Sequence, residues 1–156
     1  MKTMTAVVSV TAVLAMAQSA LAYPIHGGIT APVVAKVLQD KGYKAEVGVD
    51  DEGDPKVTSM AEGVKFTVFF YGCNHTPRCS SLTFQAGFHI EGGLTAEKMN
   101  GWNRDKRFLK GWLDKTNDPY GEMDVDAGEG FTTESLANYV DTWDSSLAEF
   151  KTYIGY

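Results

Sequence analysis

The chain has 156 residues, a length that predicts one domain, and its 44% apolar and 22% charged content is typical of a globular protein. Twenty acidic residues outnumber fourteen basic ones, so the net charge is −6. A negatively charged chain is repelled by phosphate backbones and anionic lipid, which excludes nucleic acid from the expected partners.

Residues 1–22 have the organisation of a secretory signal peptide. Lys2 precedes an apolar run, and Ala20-Leu21-Ala22 forms a small-x-small cleavage site before Tyr23. Without Lys2, 13 basic and 20 acidic residues give the mature chain a net charge of −7. An uncleaved anchor is the alternative, but the apolar run is short for a membrane span. We therefore expect a periplasmic or secreted protein that does not insert into the membrane after cleavage.

The rest of the chain divides into a lead-in and one domain. The two glycines within 23–29 predict a flexible lead-in, because glycine is costly to order. Residues 30–156 are predicted to form a single domain that begins with a helix over 30–41, capped by Thr30. Strands of alternating or β-branched residues follow, at 44–50, 56–61, 64–72 and 80–90.

The second half of the domain mixes helix and strand again. Thr95 predicts the cap of a helix, and strands follow at 106–114 and 122–126. A last helix starts at Thr132 or Thr133 and carries an apolar stripe, formed by Leu136, Val140, Trp143, Leu147, Phe150 and Ile154. These elements predict an α+β fold in the order αββββαββα, an antiparallel sheet with helices packed on it.

Alternation within the strands predicts which side chains face the core. In the first strand, Ala45, Val47 and Val49 are expected on the buried side. The third and fourth strands are predicted to form a hairpin whose apolar residues pair, Phe70 with Leu82, Val68 with Phe84, Phe66 with Ala86 and Val64 with Phe88.

The two cysteines, Cys73 and Cys79, flank the loop of this hairpin. An even count in an exported chain favours a disulfide, and placing the cysteines opposite each other gives the register above. The alternatives are a metal site with His75 and His89, or a redox-active pair. The spacing matches neither a zinc knuckle nor a Cys-x-x-Cys motif, so no metal is expected.

Basic, aromatic and acidic residues are interleaved over 100–126. Pairing Leu109 with Val125 would place Lys110 opposite Asp124 on the outer face. Because arginine can bind carboxylates bidentately, a structural network is predicted for Arg104, Arg107, Lys110 and Asp124. Trp102, beside the helix end, is expected in the core.

Several of these stretches resemble the YbjN-domain family of bacterial proteins. The resemblance rests on the Trp-Asn-Arg-x-x-Arg-Phe run within 100–108, on Asp118-Pro119, on 122–125 and on the last helix with Trp143 and Phe150. The Cys-loop-Cys-Ser-Ser-Leu-Thr-Phe-Gln stretch is similar to exported members. The resemblance implies a fold like that of type III secretion chaperones and a role in regulating sensory transduction, with no catalytic residue set.

A binding role is the first hypothesis for function. Phe69, Tyr71 and Trp112 are predicted on the sheet face opposite the core, where an apolar patch usually marks an interface. The partner would be an envelope protein, a peptide or a second copy in a homodimer. The aromatic residues could instead lie under a helix or be scattered singly.

An enzyme is the second hypothesis. Five carboxylates lie within Asp114–Asp126, and paired carboxylates can act as acid and base or hold a divalent metal. An acidic strand face neutralised by Lys110, Arg104 and Arg107 also accounts for them and is preferred. We therefore expect a non-enzymatic protein without a cofactor, with a metal-dependent enzyme or metal-binding protein as the alternative.

Overall fold

The computed structural model describes residues 23–156, so the predicted signal peptide at 1–22 lies outside the described residues. The described chain has the predicted α+β class and element order. The helices are α1 (Ala31–Asp40), α2 (Ala96–Asp105) and α3 (Thr133–Ile154). The strands are β1 (Ala45–Val49), β2 (Pro55–Ala61), β3 (Val64–Tyr71), β4 (Ser81–Gly87), β5 (Lys110–Leu113) and β6 (Pro119–Asp126).

The strands form one antiparallel sheet in the order β1-β2-β3-β4-β6-β5. Hairpins connect β1, β2, β3 and β4 in succession. The chain then passes through α2 to the edge strand β5, and β6 returns to pair with both β5 and β4. In the β3–β4 hairpin, Val68 pairs with Phe84 and Phe70 with Leu82, as predicted. A slip of one residue would turn every apolar side chain of one strand away from the core.

All three helices pack on one face of the sheet. The predicted stripe of α3 is buried throughout, and its Trp143 packs on Phe66 of β3 and Phe84 of β4, with ring centroids 5.6 and 5.7 Å apart. The helix starts where expected, because the hydroxyl of Thr132 accepts a hydrogen bond from the amide of Ser135. Burial of this aromatic layer between helix and sheet is the main support of the fold.

The segment before α1 is packed against the domain, so the prediction of a flexible lead-in at 23–29 is wrong. Ile25 and Ile29 are buried, and Ile29 exchanges two backbone hydrogen bonds with Cys79. Gly28 has a φ of +98°, and a Cβ there would lie 2.7 Å from the carbonyl oxygen of Cys79. Glycine therefore permits the close approach, while burial of the two isoleucines offsets the entropy of ordering.

The alternation in β1 predicted more burial than the structure shows. Val47 and Val49 point to the helix-covered side of the sheet, since Val47 pairs with the buried Val57 of β2. They are nevertheless 53% and 62% exposed, so the prediction that they lie in the core is wrong. Ala45 packs against the core, whereas the rest of β1 is exposed.

The β5–β6 hairpin has a shorter turn than predicted. The carboxylate of Asp114 accepts hydrogen bonds from the amides of Thr116 and Asp118, which closes the turn early. β6 therefore begins at Pro119, three residues before the predicted start, and Leu113 pairs with Pro119. The register moves by two residues, which keeps each side chain on its predicted face but changes its partner.

Candidate functional site

The sheet face turned away from the helices has no covering element among residues 23–156, and we call it the open face. Its aromatic and charged members come from every strand except β4: Glu46, Lys56, Lys65, Phe69, Tyr71, Lys110, Trp112, Tyr120, Glu122, Asp124 and Asp126. Small and polar residues of β4 occupy its middle. A solvated sheet face normally carries polar residues, so the aromatic side chains are the feature that points to an interface.

The predicted interaction residues all lie on the open face, but they form two patches. Phe69, which is half-buried, and Tyr71, which is 52% exposed, extend from β3. Trp112 of β5 stacks on Tyr120 of β6, with ring centroids 4.4 Å apart and an interplanar angle of 16°. β4 lies between β3 and β6, and Phe69 pairs with Thr83 whereas Tyr120 pairs with Gly87, four residues further along β4. The Cα atoms of Phe69 and Tyr120 are therefore about 16 Å apart. Sequence reasoning missed Tyr120 because β6 starts earlier than predicted.

A shallow groove runs beside the second patch. It has a volume of about 400 Å³ and is lined by Lys65, Thr67, Gln85, Gly87, Phe88, His89, Asp118 and Tyr120. The ring of Tyr120 lies against Gly87, where a Cβ would come within 2.6 Å of it. Glycine at this position therefore allows the aromatic ring to lie flat on the sheet.

Carboxylates along β6 make the open face negative between the patches. Glu122, Asp124 and Asp126 alternate on its outer side. Partial burial, followed by the charges of Glu122 and Asp124, raises the pKa of Tyr71. The negative field therefore reaches the aromatic patch on β3.

The structure contradicts the network predicted for four polar residues, Arg104, Arg107, Lys110 and Asp124. Arg104 forms an ion pair with its neighbour Asp105 at 2.9 Å, on the exposed surface. The guanidinium of Arg107 lies 5.0 Å from the ring centroid of Phe108. Residues 106–109 were expected to be strand, but they form a connection in which Phe108 has a φ of +69°. Neither arginine is paired with a carboxylate of β6.

Lys110 and Asp124, which lie in the β5–β6 hairpin, do not face each other because the register is shifted by two residues. Lys110 Nζ lies 2.8 Å from Glu122 Oε2, and this hydrogen bond raises the pKa of Lys110. Asp124 instead accepts a hydrogen bond from the hydroxyl of Thr83 at 2.6 Å. Glu122 also accepts one from Gln85 at 2.7 Å. Polar cross-strand pairs therefore link β5, β6 and β4 across the open face.

The acidic cluster Asp114–Asp126 does not converge on one point. Asp114 closes its own turn, while Asp118 accepts a hydrogen bond from the amide of Ile90 and lies 2.8 Å from His89 Nδ1. The bond to His89 lowers the pKa of Asp118 and raises that of His89. Within residues 23–156, no three His, Cys, Asp or Glu side chains are grouped as metal ligands would be. The geometry therefore offers no observation in favour of the metal-dependent alternative.

A tryptophan and an asparagine of α2 anchor the edge strand β5. Trp102 is 1% exposed, as predicted for a core residue, and its indole donates a hydrogen bond to the carbonyl of Leu109 at 2.8 Å. The side-chain amide of Asn103 donates to the carbonyl of Gly111 at 2.9 Å and accepts from its amide at 2.8 Å. Asn103 thus takes the place of a neighbouring strand. Sequence reasoning missed it, although an asparagine near a helix end often bonds to backbone.

Cys73 and Cys79 form a disulfide across the β3–β4 loop, as predicted. Cys79 is buried, and its backbone forms the bridge to Ile29 described above. The disulfide therefore holds the end of the hairpin next to the segment that precedes α1.

The fold defines a class of α+β domain in which one face of a six-stranded antiparallel sheet carries the helices and the other is open. The chain matches the family model YbjN, described as "Putative bacterial sensory transduction regulator", over residues 30–155. Because the match covers most of the chain, this protein belongs to the YbjN family. The description names a regulatory role and no enzymatic activity.

No curated protein and no solved structure gives a significant match. The likeness to type III secretion chaperones therefore stays a prediction. Within residues 23–156, no helix is long and apolar enough to span a membrane.

Proposed function

We propose that this chain is an exported, non-enzymatic protein of the bacterial envelope whose open face binds a protein or peptide partner. The observation that carries the proposal is the pair of aromatic patches on a sheet face that no helix of residues 23–156 covers. Tyr71 is 52% exposed on one side, and Phe69 beside it is half-buried. The stacked Trp112 and Tyr120 on the other side are also half-buried, so none of the four rings lies in the core. Such surface on a sheet is typical of an interface.

Charge indicates the kind of partner that fits this face. The carboxylates of β6 lie between the two patches, and Lys110 is already paired with Glu122. A segment with apolar side chains spaced about 16 Å apart and lysine or arginine between them would satisfy both features. The regulatory role named for the family would then be exerted through binding.

Export is supported by two features. The leader at 1–22 has the parts of a secretory signal, and the mature domain contains a disulfide, which persists in oxidising compartments. We expect the exported protein to begin at Tyr23. N-terminal sequencing of the protein from a periplasmic fraction checks this, and an N-terminus at Met1 would contradict it.

The binding proposal is tested by capture and reconstitution. The wild-type protein is cross-linked in an envelope fraction, captured partners are identified by mass spectrometry, and binding of each purified partner is measured by calorimetry. Replacing both Phe69 and Tyr71 by threonine, which keeps β propensity, should weaken binding at least about tenfold. The matched control is Tyr139→Ser, which removes an exposed aromatic ring from α3.

Loss of binding in the open-face variant with retention in the Tyr139→Ser control would support the proposal. Equal binding by all three proteins would place the interface elsewhere. Failure of the wild-type protein to bind any captured candidate directly would refute a protein-binding role.

A further inference from the structure

Among the strands of residues 23–156, β1 forms an edge of the sheet, and no other strand pairs with its outer row of backbone groups. Asp50 donates its amide to the carbonyl of Asp54, which places residue 50, and by alternation 46 and 48, in hydrogen-bonding contact with β2. Ala45, Val47 and Val49 therefore direct their N–H and C=O groups away from the sheet. An edge of this kind is a template for pairing with another strand.

This edge has little of the protection that edge strands usually carry. It contains no proline or lysine, and its valines Val47 and Val49 are largely exposed. The side chain of Gln39 donates a hydrogen bond to the carbonyl of Ala45 at 3.1 Å. A carbonyl oxygen has two lone pairs, so that bond leaves room for a second donor.

We propose that β1 pairs with β1 of a second copy of this chain, antiparallel about a two-fold axis at Val47. In this register Val47 faces its own counterpart, and Ala45 faces Val49 of the second copy. These are the residues whose backbone groups point outward, so each facing pair can exchange two hydrogen bonds. Glu46 then lies opposite Gly48 of the second copy, and the interface is isologous.

Charge selects this register over its neighbours. Lys44 comes to lie opposite Asp50 of the second copy, and the symmetry repeats this opposite-charge pair at the other end. A shift of two residues in one direction would set Glu46 against its own counterpart. The same shift in the other direction would set Glu46 against Asp50. Like charges directly opposite each other are destabilising, so of these three registers the proposed one avoids repulsion.

The dimer would join two six-stranded sheets into one continuous sheet. The exposed valines of the two copies would form one apolar strip on the helix side, and the two open faces would lie side by side. This edge is separate from the aromatic patches, so the dimer does not depend on the proposed partner binding. Failure of either proposal leaves the other testable.

Symmetry provides a direct test by cysteine cross-linking of the purified protein under mild oxidation. In the proposed register, the Cα atoms of residue 47 in the two copies lie about 5.5 Å apart, within disulfide range. Those of residue 49 lie about 14 Å apart, which is beyond it. Val47→Cys should therefore form a covalent dimer, whereas the matched control Val49→Cys should remain monomeric. The native cysteines are already joined to each other.

Sedimentation equilibrium from micromolar to millimolar protein provides the second measurement. The wild-type protein should dimerise reversibly, and Val47→Lys and Lys44→Glu should each raise the dissociation constant at least about tenfold. Lys65→Glu changes the net charge equally on a strand remote from this edge and should leave the constant unchanged. Circular dichroism checks that each variant is folded. A strictly monomeric wild-type protein, or equal cross-linking through residues 47 and 49, would overturn the proposal.

Discussion

The two edge strands of the sheet, β5 and β1, differ in how their outward backbone groups are hydrogen-bonded. At the β5 edge, α2 lies against the strand, Trp102 bonds to Leu109, and the amide of Asn103 satisfies both backbone groups of Gly111. At the β1 edge, one side chain of the described residues, that of Gln39, bonds to the outward backbone groups. A side chain can thus close an edge as another strand would, and the edge without such closure is the one available for pairing.

The β5 edge is closed by part of the sequence that carries the family resemblance. Trp102 and Asn103, the first two residues of the Trp-Asn-Arg run, close the β5 edge, whereas Arg104 pairs with its neighbour Asp105 on the surface. The run is therefore mainly architectural. Its presence indicates that side chains close the β5 edge of the sheet, and it gives no evidence of a catalytic site there.

The largest loss of stability is expected from opening the closed edge at Trp102. Trp102→Ala removes a buried ring that packs on Phe150 with centroids 5.0 Å apart, and it leaves the carbonyl of Leu109 without its donor. We expect the free energy of unfolding to fall by about 3–5 kcal/mol. Urea denaturation measures it. The control Trp112→Ala, at a half-exposed ring on the open face, should cost clearly less; equal losses would contradict the anchoring role.

Removal of the disulfide should destabilise the domain without altering either edge. The ring closed by Cys73 and Cys79 is small, so the chain-entropy model gives a loss of about 2 kcal/mol for the double serine variant. Urea denaturation and sedimentation of this variant check both statements. A change in its dimerisation comparable to that of Val47→Lys would show that the hairpin end and the β1 edge are coupled.

Asn103→Ala tests side-chain closure of the edge directly. The substitution leaves the amide and carbonyl of Gly111 without their partner, and we expect a loss of about 1–2 kcal/mol. Asn100→Ala, an exposed position in the same helix, is the matched control and should be nearly neutral. Increased self-association of Asn103→Ala would show that the side chain of Asn103 keeps the β5 edge from pairing with another strand.

The ion pair between Lys110 and Glu122 is expected to contribute less. Lys110 is more than half exposed, so solvent screens the pair, and Lys110→Met should cost less than about 1 kcal/mol. A double-mutant cycle with Glu122→Gln measures the coupling. A coupling well above that limit would indicate that the pair fixes the β5–β6 register.

The smallest expected effect is pH-dependent and involves His89 and Asp118. Their hydrogen bond raises the pKa of His89, so its contribution is complete below about pH 6.5 and is lost as pH rises through the raised value. The pKa of Asp118 is lowered, so its contribution is present above about pH 4 and is lost as pH falls through the lowered value.

The difference in melting temperature between the wild-type protein and His89→Gln should therefore be greatest between these limits. Both groups lie near the β5–β6 turn, at the closed side of the sheet. A difference that increases towards pH 8 would contradict the assigned sign.

The pattern of apolar and polar residues predicts the element order, the β3–β4 register with its disulfide, and the buried stripe of α3. These follow from local periodicity, because alternation and 3.6-residue spacing state which side of an element is apolar. Periodicity does not state where a neighbouring element ends. Tertiary structure therefore sets three other features. They are the exposure of Val47 and Val49, the two-residue shift that pairs Lys110 with Glu122, and the hydrogen bonds between Asn103 and Gly111. Each depends on the length of a turn or the reach of a helix, which packing decides.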